Sequence, residues 1–172
     1  QWGTAIQYDI IDAARWAIEQ GVADPERIAI YGSSFGGYSA LQSAILEPEL
    51  FKAAIGTAGI YDLQLLWQEG DVQGRARGKA YLGKVIGEDK NQLKAYSPLY
   101  NVDKLKVPVM LIHGEKDERA PFEHAERMHK ALKQQGIEVS LLAKAKEGHG
   151  FSKADNRLEA YRGMLDFLSR HL

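Results

Sequence analysis

The chain of 172 residues is 45% hydrophobic and 26% charged, the balance of a globular domain long enough to bury its own core. Lys and Arg total 22 against 23 for Asp and Glu, a net charge of -1, so neither nucleic acid nor an anionic membrane surface is an expected partner. The absence of cysteine excludes disulfides, thiolate metal sites and a Cys nucleophile, without choosing between cytosol and periplasm.

No apolar run approaches the ~20 residues of a membrane span, and no basic-then-apolar signal opens the chain. It begins at Gln1 rather than Met, which reads as a piece cut from something longer. Apolar residues Ile6, Ile10, Ala13, Ala14 and Ala17 recur at helical spacing over 4–20, with Gly21 as a stop. Asp24-Pro25-Glu26-Arg27 reads as a tight turn. Ile28-Ala29-Ile30-Tyr31 is a short unbroken apolar strand, as expected where helices cover both faces of a sheet.

A helix is predicted over 35–46, ending before Pro48, and a second strand over 53–58. The stretch 61–100 is less regular, with Gly70, Gly74, Gly78, Gly83, Gly87 and Pro98 interrupting any long helix; Gly70 to Gly87 is the best candidate for an insertion near a binding site. Val107 to Ile112 is the clearest strand. A helix over 122–135, a strand over 139–143 and a helix over 155–171 complete the chain. Alternating strands and helices predict a parallel α/β sheet with right-handed crossovers in one domain spanning 1–172.

Between the strand at 28–31 and the helix at 35–46 lies Gly32-Ser33-Ser34-Phe35-Gly36, a G-x-S-x-G elbow of the α/β-hydrolase type. A nucleophilic hydroxyl must stand clear of the sheet on a strained turn, where strand and helix pass close enough to require glycine. The helix N-terminus also favours developing negative charge. Ser33 would be flanked by Tyr31 and Phe35, both too large, so Ser34 is the candidate. A glycine-serine loop or phosphate cradle is the plain alternative, but G-x-x-x-x-G-K and G-x-G-x-x-G are absent.

In this fold the partners follow as an acid and then a His, each after a strand. Behind the strand ending at Ile112 three acids compete: Glu115, Asp117 and Glu118. Behind the last strand, His149 lies in a loop between Gly148 and Gly150. His124 and His129 fall in a helix, where a solvated surface role is expected; His171 sits in the final helical turn, and His113 reads as structural. No H-E-x-x-H or similar spacing suggests a metal, and no cofactor is implied.

Tyr31 to Tyr38 (YGSSFGGY), His113 to Pro121 (HGEKDERAP) and Gly148 to Phe151 (GHGF) together resemble the catalytic domain of the prolyl oligopeptidase family of serine peptidases, in its acylaminoacyl-peptidase and dipeptidyl-peptidase-like branch. The resemblance covers nearly the whole chain. It implies an α/β-hydrolase fold and an acid four residues after the His of the His-Gly pair, which selects Asp117. Ala120 stands where such enzymes commonly carry Val.

The resemblance further implies short peptide substrates and a pocket formed by Phe35, Ile60, Leu63, Leu66 and Trp67. That apolar set, with no acidic residue among its members, favours an apolar or proline-like residue before the scissile bond over Lys or Arg. Asp62 is read as a loop or helix cap. The β-propeller and early strands implied by the family are absent from these 172 residues. The backbone N–H of Phe35 is then the one oxyanion donor available, and the chain alone is expected to be a weak or inactive catalyst. The apolar strand at 28–31 is expected to be an exposed edge that self-associates. A carboxylesterase or other acyl hydrolase, or a non-catalytic domain on the same fold, are the competing functions.

Overall fold

The computed structural model describes residues 2–74 and 76–172. Four parallel strands form one sheet in chain order: β1 (Ala29–Ser33), β2 (Ala53–Thr57), β3 (Val109–Gly114) and β4 (Val139–Lys144). The helices are α1 (Ala5–Glu19), α2 (Phe35–Leu46), α3 (Leu63–Gln68), α4 (Ala76–Val85), α5 (Lys90–Ala95), α6 (Glu123–Gln134) and α7 (Ala154–His171).

The period-2 geometry of a strand sends alternate side chains to opposite faces, and here both faces are apolar. Ala54, Val109 and Leu111 pack under α2 and α6 with Leu41, Ile45, Met128 and Leu132, and α1 adds Ile10 and Ala14 at the margin. Ala53, Ile55, Met110 and Ile112 face the other way, against Ala160 and Phe167 of α7. Fully burying a Leu or Met side chain contributes about 1.5–3 kcal/mol, so the two layers hold the strands in one register.

The predicted strands and long helices are all present, with ends shifted by one or two residues. β3 starts at Val109 rather than Val107, because Pro108 has no N–H to donate to a ladder; its carbonyl still accepts from Ala54 N at 3.0 Å. β1 runs on to Ser33, delivering Ser34 at its tip. Within the described residues β1 ends the sheet, with Tyr31 54% exposed, as expected of an apolar edge.

The stretch 61–100 is more ordered than its glycines suggest. It holds α3, α4, α5 and the start of a 3-10 segment, Pro98–Lys104. Asp62 Oδ1 caps α3 by accepting from Gln64 N and Leu65 N at 2.9 and 3.2 Å, and Asp89 Oδ1 accepts from Gln92 N at 2.8 Å. Each cap satisfies orphan N–H groups at a helix start. Gly78 sits inside α4 because a Cβ there would collide with the carbonyl of Val72.

Candidate active site

The loops after β1, β3 and β4 meet at the carboxyl ends of their strands. Ser34, between β1 and α2, has φ 58° and ψ -119°, a left-handed conformation that costs a non-glycine residue energy and persists only where its surroundings enforce it. One enforcing contact is Ser34 N donating to Thr57 O at 2.8 Å. The glycines explain themselves unevenly. A Cβ on Gly32 would strike the backbone of Gly36, and one on Gly37 would lie 2.9 Å from Gly59 Cα, whereas a Cβ on Gly36 would meet nothing. The need for glycine on the helix side therefore rests at Gly37, one position beyond the expected Gly36.

His149 Nε2 lies 2.9 Å from Ser34 Oγ, and its Nδ1 lies 2.8 Å from Asp117 Oδ2 and 3.0 Å from Asp117 Oδ1. Burial pushes the Asp117 carboxyl up. Hydrogen bonds from His113, His149 and Ala120 N outweigh that and hold it well below the ordinary carboxylate range. An ionised Asp117 can only accept, so Nδ1 of His149 carries the proton and Nε2 is left bare to accept from the Ser34 hydroxyl. Three side chains from distant parts of the sequence thus form one continuous chain, and of the three acids considered, Asp117 makes this contact.

The loops behind these groups are tightly bonded. Asp117 Oδ1 accepts from Arg119 N at 2.9 Å and Ala120 N at 3.0 Å. His113, read as structural, touches the same carboxylate: its Nε2 lies 3.2 Å from Asp117 Oδ2 and 2.8 Å from Ala120 O. A carbonyl cannot donate, so Nε2 of His113 carries the hydrogen. Gly114 is pressed against the carbonyls of Glu147 and Gly148, which brings the Asp117 and His149 loops together.

Glu147, two residues before His149, was not a candidate from the sequence and is an anchor of the loop. Its buried carboxylate accepts from Asn156 Nδ2 at 2.6 Å, Ser152 N at 2.5 Å, Ser152 Oγ at 2.9 Å and Lys153 N at 3.1 Å, and its carbonyl accepts from Lys116 N at 2.9 Å. The Asn156 bond leads the causes that hold its carboxyl down to about 2, against the opposing effect of burial.

Beside Ser34 and His149 opens a cavity of about 260 Å³ lined by Trp2, Phe35, Ile60, Leu66, Val72, Leu82 and Ala120, with Tyr81, Asp71 and Arg119 also contributing. Of the five residues expected at the pocket, Phe35, Ile60 and Leu66 line this cavity. Leu63 and Trp67 are not part of this lining: Leu63 is fully buried, and Trp67 donates its indole N–H to Gly87 O at 2.9 Å. Trp2 packs against Phe35, the ring centroids 4.5 Å apart and the planes tilted by 49°. Asp71, carried in by the turn after α3, adds to the lining an acidic residue that the expected set lacked.

His124 also departs from its expected surface role. It is 1% exposed, and its Nδ1 accepts from Tyr61 N and Asp62 N at 3.2 and 3.3 Å. Burial, then the neighbouring His113 and Arg127, push its imidazole down to about 3. The signal in the sequence was weak, since a His on an amphipathic helix faces either way until register is known. Asp62 behaves as expected, and its other oxygen accepts from Tyr100 Oη and Arg127 Nη1 at 3.1 and 3.2 Å.

Against known proteins, the prolyl oligopeptidase family matches across residues 1–172. The chain belongs to the prolyl oligopeptidase family. It is 30% identical to a dipeptidyl aminopeptidase BIII of Pseudoxanthomonas mexicana, over 91% of this chain and 23% of that protein. A solved structure described as a Mycobacterium tuberculosis puromycin-hydrolysing peptidase superposes with a TM-score of 0.93 at 32% identity, over 100% of this chain and 26% of the other. The sheet and its flanking helices are thus the α/β-hydrolase architecture of these peptidases. The chain spans about a quarter of the length of the curated relatives it matches. One further relative, 27% identical over 97% of this chain and 20% of its own length, is a rat protein named inactive dipeptidyl peptidase 10. Membership alone therefore does not carry activity; the residues at the site must.

Proposed function

We propose that this chain carries the catalytic centre of a serine peptidase acting on short peptides. The supporting observation is the unbroken contact from Ser34 Oγ to His149 Nε2 (2.9 Å) and from His149 Nδ1 to Asp117 Oδ2 (2.8 Å). In this reading His149 takes the Ser34 proton as the hydroxyl attacks the scissile carbonyl, and Asp117 holds the imidazole in the needed tautomer and stabilises its charged form. Collapse expels the amine, which receives that proton from His149. Water, activated by the same imidazole, then releases the acyl group from Ser34. The backbone N–H of Phe35, in the first turn of α2, has no helical acceptor and is the proposed donor to the oxyanion.

The apolar cavity suits an apolar residue before the scissile bond. We further propose that the 172 residues are a partial α/β-hydrolase domain whose second oxyanion donor lies outside them. Loss of one such donor costs on the order of 10²–10³ in rate, so the chain alone should turn over amides that much more slowly than a protein supplying both. In the same reading the β1 edge of the 172 residues taken alone pairs with its copy, giving a homo-oligomer; sedimentation of the 172-residue chain as a monomer at high concentration would rule this out.

The test is a comparison of a peptidyl p-nitroanilide with the matching p-nitrophenyl ester, using the longest protein that carries this chain. Hydrolysis of both, with the anilide at peptidase rates, supports the proposal. Ester cleavage without measurable anilide cleavage would instead identify a carboxylesterase, and hydrolysis of neither a non-catalytic domain.

A further inference from the structure

His113 stands near the end of β3, in register with Ala143 of β4 and 1% exposed, so the sheet fixes its backbone. Its ring lies edge-on to Phe122, the centroids 5.8 Å apart. The single hydrogen on Nε2 faces two acceptors, Ala120 O at 2.8 Å and Asp117 Oδ2 at 3.2 Å. The shorter contact braces the turn whose Ala120 lines the cavity. The longer one falls on the carboxylate oxygen that His149 Nδ1 also meets, at 2.8 Å. Among the described residues, Nδ1 of His113 is buried without a hydrogen-bond partner. An unpaired buried acceptor costs desolvation energy that an apolar side chain of similar size would not. What the imidazole contributes in return comes through Nε2.

We propose that His113 is a positioning residue, a fourth member of the chain that runs from Ser34 through His149 to Asp117. This rests on the reading of those three as a working triad. The backbone donors Arg119 N and Ala120 N hold Asp117 by Oδ1 alone, and a carboxylate held at one oxygen can still swing about it. His113 stops that swing at Oδ2, from the tip of a strand packed on both faces. Without its hydrogen Asp117 can turn, and the imidazole falls out of line with the Ser34 hydroxyl. A displacement near 1 Å costs on the order of 10²-fold in turnover, so a shared donor sets the expected loss at about 10- to 100-fold.

The test uses the longest protein that carries this chain and a p-nitrophenyl ester, whose ready cleavage keeps weak variants measurable. His113→Leu should lower kcat about 10- to 100-fold and move KM by less than about threefold. His113→Phe, which keeps a ring against Phe122, should match it. His113→Gln, which offers an N–H close to the same place, should recover most of the loss. The deciding comparison places His113→Leu in an Asp117→Asn background, where the same substitution should cost no more than about threefold. A His113 that only braces the turn through Ala120 O would cost the same in both backgrounds. That result would overturn the proposal, as would equal losses in the Leu, Phe and Gln variants. The low-field proton resonance of His149 Nδ1–H, recorded by NMR without substrate, separates this proposal from the hydrolase reading. It should shift or broaden in His113→Leu and persist in His113→Gln. That pattern in a protein that hydrolyses nothing would sink the hydrolase reading and leave the positioning role standing; a resonance unaltered in every variant would overturn the positioning role.

Discussion

The two halves of the site are built on different terms. Ser34, Asp117 and His149 stand at the tips of three strands of one sheet, and the Asp117 side chain is 0% exposed and bonded on every side. Much of the cavity wall is drawn from short helices and turns between residues 60 and 82, with Trp2, Phe35 and Ala120 beside them, and it carries an ion pair, Arg119 and Asp71, that is 67% and 41% exposed. Strand register is fixed by burial on both faces, so a side chain at a strand tip cannot drift without unpacking the core. A turn held by one wet ion pair and by the contact of Gly70 with Arg119 O can change at small cost. In the proposed reading, chemistry is placed by the rigid part and selectivity is left to the replaceable part.

Breaking the rigid half should cost most. Ser34→Ala should lower turnover on the order of 10⁶-fold, and adding His149→Ala should cost little more, because a triad fails as a unit. Steady-state rates of the two single variants and the double variant check this; losses that add independently would mean that the residues do not act together. Asp117→Asn should lower turnover by about 10⁴, since an amide can donate to Nδ1 and favour the wrong tautomer.

Glu147→Ala tests how far the rigid half extends. Four donors would lose their acceptor, the His149 loop would loosen, and a displacement near 1 Å is enough to cost about 10²-fold in turnover. Glu147→Gln, which keeps an acceptor, should recover much of that. The split matters: a positioning role predicts a fall in kcat with KM little changed, whereas equal loss in both variants would point to general unfolding.

The mildest change is in pH dependence. His124 holds the pocket wall through Tyr61 N and Asp62 N, which requires a bare Nδ1. Its imidazole is down to about 3 in the folded chain, against about 6.5 when unfolded. The unfolded state therefore binds the proton first. This contribution to stability is complete above pH 6.5 and is lost as pH falls from there towards 3. Urea unfolding of His124→Gln at several pH values should show a flatter slope between pH 4 and 6.5 than the parent; equal slopes would show that His124 is not what titrates.

The same division governs what could be read from the sequence. G-x-S-x-G between an apolar strand and a helix, an acid after the third strand and a loop His after the fourth are local patterns tied to topology, and all three meet in space. Leu63 and Trp67 could not be sorted from Leu66 by composition, because three apolar residues on one short helix differ only in which way the helix turns. Asp71 was hidden in a glycine-rich stretch without periodicity, and its place at the pocket depends on a contact with Arg119, 48 positions along the chain. Glu147 looked like any loop carboxylate until its donors from the start of α7 came into view.

The most direct test of the triad is labelling with a fluorophosphonate probe, which reacts with an activated serine, followed by peptide mapping. The account predicts a single adduct on Ser34, lost in Ser34→Ala and strongly slowed in His149→Ala. An adduct on Ser33, or labelling that proceeds at the parent rate without His149, would contradict it.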